Sequence, residues 1–204
     1  MRLTTEGVEA ALGRVRFVPT LNAGFGELMG FHHHLLADQV RTGAFIESIR
    51  QTVQPLDFVV DLGTGTGVLA VAAAQAGAGT VIGIERGAIA ERARALAAAN
   101  DALVTVVQAA SDDVRLPREV DVLVSECLGL AGLGGAMIGA VKRARDRWLK
   151  PGGVVIPQRV RVFAAPVEDP EADALVHRWD GARMAGVRLD VLGAHVGHNL
   201  YIAS

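Results

Sequence analysis

The stretch from Val59 to Arg86, VVDLGTGTGVLAVAAAQAGAGTVIGIER, constrains the fold more than any other part of the chain. An apolar run ends on Asp61, and Gly63, Gly65 and Gly67 follow at alternate positions. An alanine-rich window comes next, and a second apolar run closes on Glu85. Strand, glycine turn, helix and strand in that order make a parallel βαβ unit. No residue between Asp61 and Glu85 is charged, a length that would also satisfy a membrane helix. The six glycines near its two ends, with Thr64, Thr66, Gln75 and Thr80, point instead to a buried loop, helix and strand.

The same alternation continues on both sides. β-branched apolar runs predict strands at Phe58 to Leu62, Thr80 to Glu85, Thr105 to Gln108, Val120 to Ser125 and Val154 to Ile156. Helices are expected at Thr66 to Gln75, Arg86 to Asn100 and Gly134 to Leu149, with another from His33 to Arg50 ahead of the first strand. KPGG at Lys150 to Gly153 reads as a helix end turning into a strand. The fold class is therefore α/β: a doubly wound, mostly parallel Rossmann-like sheet with an N-terminal helical cap. Residues 1–52 are expected to form a helical segment covering the ligand site and 53–168 the sheet domain. Residues 169–204 form a C-terminal extension with no clear period.

Composition narrows the partners. At 204 residues the chain is long enough for one well-buried core, and a 50% hydrophobic fraction with 21% charged residues suits a globular domain. A net charge of −2 provides no positive field to collect nucleic acid or anionic lipid, so neither nucleic acid nor a membrane is expected as a partner. Cys127 is the single cysteine and MRLTTEGVEA carries no apolar signal core, so a cytoplasmic location is expected.

In open α/β sheets ligands bind beyond the C-terminal ends of the strands, where Asp61, Gly63, Gly65 and Glu85 fall. Small glycines let a ligand approach the backbone, and a carboxylate at the end of the second strand can accept both hydroxyl protons of a ribose. Adenosine is the natural guest. The loop lacks the sixth-position glycine of a dinucleotide fingerprint: counting from Gly63 that position is Val68, and from Gly65 it is Ala70.

The D-x-G-x-G-x-G loop with its later acid resembles the class I S-adenosylmethionine-dependent methyltransferases. Downstream, VDVLVSECLGL (Val120 to Leu130) and ARDRWLKPGGVVIP (Ala144 to Pro157) resemble the catalytic core of the protein arginine methyltransferases. So does GFHHHLLADQVRT (Gly30 to Thr42). The resemblance implies S-adenosyl-L-methionine as cofactor and S-adenosyl-L-homocysteine as product. It puts Arg41 on the methionine carboxylate, His32 near the donor, and Gly63 and Gly65 along the methionine portion. Glu85 falls on the ribose, Ser111 and Asp112 on the adenine, and Met137 near the sulfonium. Glu126 falls beside the methyl group, where with His32 it is the candidate for orienting or deprotonating an acceptor.

The arginine enzymes carry a second glutamate nine residues after the first, and here that position is Gly135. Their aromatic pair falls on Asn22 and Gly26, and only 36 residues follow Glu168, too few for their C-terminal β-barrel. The expected reaction is therefore methyl transfer to an oxygen or nitrogen of a small-molecule or peptide acceptor. Two alternatives stay open, a truncated or divergent protein arginine N-methyltransferase and an inactive cofactor-binding regulatory subunit. A homodimer is the self-association weighed alongside them. No metal site is expected: adjacent His32, His33 and His34 point in different helical directions, and His195 with His198 lacks a third ligand. KRARDR (Lys142 to Arg147) reads as a solvated helix face whose charges complement the helix dipole, and Cys127 as a small buried residue.

Overall fold

The computed structural model describes residues 32–127, 135–163, 165–166, 168–178 and 180–191. Helix α1 (Gln39–Thr52) leads into strand β1 (Phe58–Leu62), α2 (Val68–Gln75), β2 (Thr80–Glu85), α3 (Ala90–Ala99) and β3 (Thr105–Gln108). A 3₁₀ turn (Ser111–Asp113), β4 (Val120–Val124), α4 (Gly135–Trp148) and β5 (Leu149–Ile156) complete the sheet unit. The strand order is β3-β2-β1-β4-β5 and every pairing is parallel. This is the Rossmann-like α/β sheet that the alternation implies.

β1 is central because every one of its residues is buried, and Val60 is flanked by Ile82 on one side and Leu123 on the other. Successive strand residues face opposite sides. Phe58, Val60 and Leu62 pack with Ile82, Ile84, Leu123 and Trp148 in one core layer. Val59, Val81, Val122 and Val124 pack with Ile49 of α1 and Leu69 and Ala73 of α2 in the other. Each large side chain so buried contributes about 1.5–3 kcal/mol.

Element boundaries differ from the sequence reading where local bonding decides. The helix expected from His33 to Arg50 is interrupted at Asp38, whose side chain accepts the Arg41 N–H at 2.9 Å and caps a new helix. A separate helical stretch precedes it at 32–37. α2 starts at Val68 rather than Thr66, because Gly67 stands at φ +87° and cannot belong to a right-handed helix. β5 begins at Leu149 and takes in KPGG, with a register shift between Val120 and Val122 across which the extra residues bulge.

The chain divides into compact units Met1–Val162 and Phe163–Ser204. The described part of the second unit holds α5 (Pro170–Val176) and a hairpin, β6 (Arg183–Met184) with β7 (Val187–Arg188). Ala185 and Gly186 both take positive φ, as a two-residue type I′ turn requires. No described helix is long and apolar enough to cross a membrane.

At the N-terminal ends of the strands, Asp121 joins three elements. It accepts the Phe58 N–H at 2.7 Å, an Arg118 N–H at 3.3 Å and a bond from Lys150. Burial would push its carboxyl upward. The Lys150 and Phe58 hydrogen bonds and the charges of Lys150 and Arg118 outweigh that and hold it below the usual carboxylate range. Removing the acceptor leaves the Phe58 N–H unsatisfied, so Asp121→Ala should destabilise the fold by about 2 kcal/mol at pH 7. A depressed carboxyl adds stability above its unfolded pKa of about 4, and that stability is lost as pH falls through the folded value. Urea denaturation at pH 7 and below pH 3 should show the gap between wild type and variant narrowing in acid; an equal gap at both pH values would refute the assignment.

Candidate active site

The C-terminal ends of β1, β2 and β4 and the start of α1 converge on one place. After β1, the Gly63 and Thr64 N–H groups donate to the Ile84 carbonyl at 2.8 and 3.0 Å, and Gly67 N–H donates to the Thr64 carbonyl at 2.7 Å. This winds the chain into a tight loop. A Cβ at Gly67 would lie 2.9 Å from the Ala93 Cβ, so that glycine lets α3 pack against the loop. A Cβ at Gly65, with φ +54°, would lie 2.8 Å from His32 Cε1. The first glycine is needed for packing and the second for close approach by the His32 ring.

Asp61 is buried within this loop, where its carboxylate accepts the Thr64 hydroxyl at 2.6 Å and the Ala70 N–H. Burial pushes its carboxyl up to about 7. Those two hydrogen bonds oppose the shift, while the charges of Glu85 and Glu126 add to it. Its side chain is engaged by the loop itself.

Glu85 is the second brace. Its Oε2 accepts the Gly65 N–H at 3.1 Å and its Oε1 the Gly87 N–H at 2.6 Å, which fixes the carboxylate plane. The Gly87 contact also explains why α3 begins at Ala90 instead of Arg86: the backbone is drawn back toward Glu85 before it coils. Each oxygen keeps a lone pair for a hydroxyl donor such as a ribose.

Opposite this brace, Arg41 of α1 places Nη1 2.9 Å from Glu126 Oε1, just beyond β4. Its Nη2 donates to the Leu35 carbonyl. Among the described residues its Nε is buried without a hydrogen-bond partner, Asp38 Oδ2 lying 3.8 Å away. A buried donor left unmade costs about 1–3 kcal/mol, which is recovered when an acceptor arrives. The guanidinium fits a ligand carboxylate. His32 completes the cluster. Burial lowers its pKa, and the negative charges of Glu85 and Glu126 partly offset this.

Sequence reasoning placed Arg41 and Glu126 in the same site but missed their ion pair, because nothing in their spacing registers a contact between α1 and the end of β4. It also missed Arg143 and Arg147. Arg143 grips Asp112 through Nε and Nη2, both at 3.0 Å, and Arg147 Nη1 lies 3.5 Å from Asp112. Their four-residue spacing on α4 was the available signal. The rest of KRARDR is a paired surface: Lys142 and Arg145 both meet Asp146. Ser111 and Asp112 lie on the 3₁₀ turn beyond β3, next to β2 in the sheet.

Cys127 donates to the Leu62 carbonyl at 3.5 Å. Burial first, then the charges of Asp61, Glu126 and Glu85, push its thiol up to about 11 against a hydrogen bond with Ser125, so it stays protonated at neutral pH. No three-residue metal cluster exists among the described residues. The Met137 side chain, Asn22, Gly26, Gly129, Gly132, Gly134, His195 and His198 lie outside the described residues.

The family model described as "Ribosomal protein L11 methyltransferase (PrmA)" matches residues 40–157, more than half of the chain. The chain belongs to the class I S-adenosylmethionine-dependent methyltransferases. Within that family it is similar to Arabidopsis thaliana protein arginine N-methyltransferase PRMT10, 41% identical over 72% of this chain and 40% of the relative. Danio rerio protein arginine N-methyltransferase 6 is 36% identical over 72% of this chain and 44% of the relative. The chain thus spans under half the length of these two methyltransferases. Among solved structures, Arabidopsis thaliana protein arginine methyltransferase 10, in an open conformation, superposes with a TM-score of 0.67 at 36% identity. It covers 80% of this chain and 51% of that one. The Trypanosoma brucei PRMT1 enzyme-prozyme heterotetrameric complex with AdoHcy gives 0.69 at 25% identity, over 82% and 54%.

The buried Asp61 also has a measurable signature. Folding raises its pKa, so folding takes up a proton. The stability tied to the protonated form is complete below the unfolded value of about 4 and is lost as pH rises through about 7. Asp61→Asn, which keeps an acceptor for Thr64, should therefore gain stability relative to wild type between pH 5 and pH 8 in urea titrations. A pH-independent difference would show that Asp61 is ionised throughout.

Proposed function

We propose that the chain binds S-adenosyl-L-methionine and catalyses methyl transfer, releasing S-adenosyl-L-homocysteine. Arg41 carries this reading, because a half-buried guanidinium already paired with Glu126 keeps one buried donor that finds no acceptor among the described residues, a need that a methionine carboxylate would meet. Glu85 would hold the ribose, the loop at Gly63 and Gly65 the methionine chain, and Ser111 with Asp112 the adenine. The cofactor supplies an activated methyl group on a sulfonium. Glu126 keeps Oε2 to orient an acceptor N–H or O–H, and His32, whose pKa burial lowers, is a further candidate proton acceptor beside the same loop.

The comparisons favour a protein arginine side chain as acceptor, since the similar proteins are named for that activity. One observation favours a second reading. Gly135 stands nine residues after Glu126, where the resemblance calls for another glutamate. A guanidinium stays protonated to a pKa above about 12 and enters an apolar pocket only with its charge paired. A neutral oxygen or nitrogen of a small molecule or peptide makes no such demand.

Calorimetric titration should give micromolar S-adenosylhomocysteine binding that Glu85→Ala abolishes; no binding to wild type would end the cofactor reading. Labelled methyl donor, offered with an arginine peptide and with its citrulline counterpart, then separates the acceptors. Label confined to the arginine peptide supports the first reading. Label on both peptides supports the second, and cofactor binding with no transfer to any acceptor would mark a regulatory subunit. Glu126→Gln should lower turnover by about 10²–10⁴-fold with homocysteine-product affinity largely kept.

A further inference from the structure

The Asp112 carboxylate stands half exposed on a three-residue 3₁₀ turn, a setting that by itself leaves its rotamer undetermined. Two arginines from one face of α4 determine it. Arg143 forms a fork, Nε to Oδ1 and Nη2 to Oδ2, each at 3.0 Å. Arg147 lies 3.5 Å from Oδ1 and donates through Nη2 to the Val114 carbonyl at 2.8 Å, which ties α4 to the end of the same turn. A carboxylate has two lone pairs on each oxygen. With Arg143 on both oxygens and Arg147 beside Oδ1, the acceptor position left open among the described residues is on Oδ2. Gly139 makes room for this arrangement, since a Cβ there would lie 3.2 Å from Arg143 Nη1.

An exposed ion pair of this kind adds little to folding. What the planar fork supplies is direction: it fixes the plane of the carboxylate, as the single point charge of a lysine cannot. The hydrogen bond and charges from Arg143, with the charge of Arg147, also hold Asp112 below the usual carboxylate range, so it is an acceptor only.

We propose that Arg143 sets base selectivity at the adenine end of the site, by fixing the Asp112 carboxylate as a directed acceptor for the 6-amino group. This rests on the reading that the Ser111–Asp113 turn receives adenine. A base with a carbonyl at that position presents a lone pair to the carboxylate instead of a proton and is rejected. Arg143 is thus a positioning residue that acts through Asp112.

The test compares S-adenosylhomocysteine with its hypoxanthine analogue, in which a carbonyl replaces the 6-amino group, by calorimetry on wild type, Arg143→Ala and Arg143→Lys. Wild type should prefer the adenine ligand by about tenfold or more. Arg143→Ala should bring that ratio near unity, mainly by weakening the adenine ligand, with circular dichroism and melting temperature unchanged. Arg143→Lys should fail to restore it, because charge without the fork does not orient the carboxylate. A purely structural role would weaken both ligands together and keep their ratio, which overturns the proposal, as does a full ratio in Arg143→Lys. Equal binding of both ligands by wild type also overturns it and leaves the cofactor reading standing. Binding of neither ligand by wild type removes both.

Discussion

The site depends on how the chain leaves β1. Three glycines at alternate positions would make a floppy turn if nothing held them, because glycine loses more backbone freedom on ordering than any other residue. Here two carboxylates hold them. Asp61 closes the loop from within through Thr64 and Ala70, and Glu85 grips it from the next strand through the Gly65 N–H. Three further candidate contacts refer to this braced turn: His32 sits on Gly65, α3 packs on Gly67, and Glu126 follows a strand hydrogen-bonded to β1. The brace has a cost in charge, since burial first, and the charges of Glu85 and Glu126 after it, push the Asp61 carboxyl upward. One guanidinium, Arg41, offsets part of it by pairing with Glu126. The pocket therefore suits a ligand that brings hydroxyl donors to Glu85 and a carboxylate toward Arg41.

Much of the scaffold was legible because the forces that build it are local or periodic. β-branched runs marked β1, β2 and β3 to the residue; β1 and β2 are buried on both faces and admit little else, and the edge strand β3 keeps the same residue types. The glycine spacing and the acid at Glu85 pointed to the site because positive φ and a strand-end carboxylate are requirements of residue type. Boundaries were less legible where one side chain decides. Asp38 can sit inside a helix or cap one, and only its bond to the Arg41 N–H selects the cap. The Leu149 to Gly153 segment reads as a turn by composition, yet pairing with β4 carries it into the strand.

Partner choice was illegible for a different reason. Arg41 can be assigned to a ligand carboxylate by resemblance, and Glu126 to the reacting group, but the ion pair between them exists only once α1 lies across the sheet end. In the same way KRARDR reads as a solvated face, and two of its members do meet Asp146. The other two turn to Asp112, which sequence alone would assign wholly to a ligand. In both cases an acid expected to serve a ligand already has an arginine, so the ligand meets a carboxylate held in place.

That arrangement bears on the acceptor. A guanidinium entering beside Glu126 would find one carboxylate oxygen already committed to Arg41 and, at Gly135, no side chain to offer a second. It would also approach a fixed cation. Like charges in a poorly solvated site repel by amounts comparable to a whole hydrogen bond, so a cationic acceptor needs negative charge from elsewhere. The relatives are named for arginine methylation, and in this chain Gly135 argues against a cationic acceptor through charge balance. The two agree only if another acid reaches the mouth of the site, from this chain or from a partner. If none does, the pairing of Glu126 with Arg41 suits an acceptor that arrives neutral and needs only to be oriented.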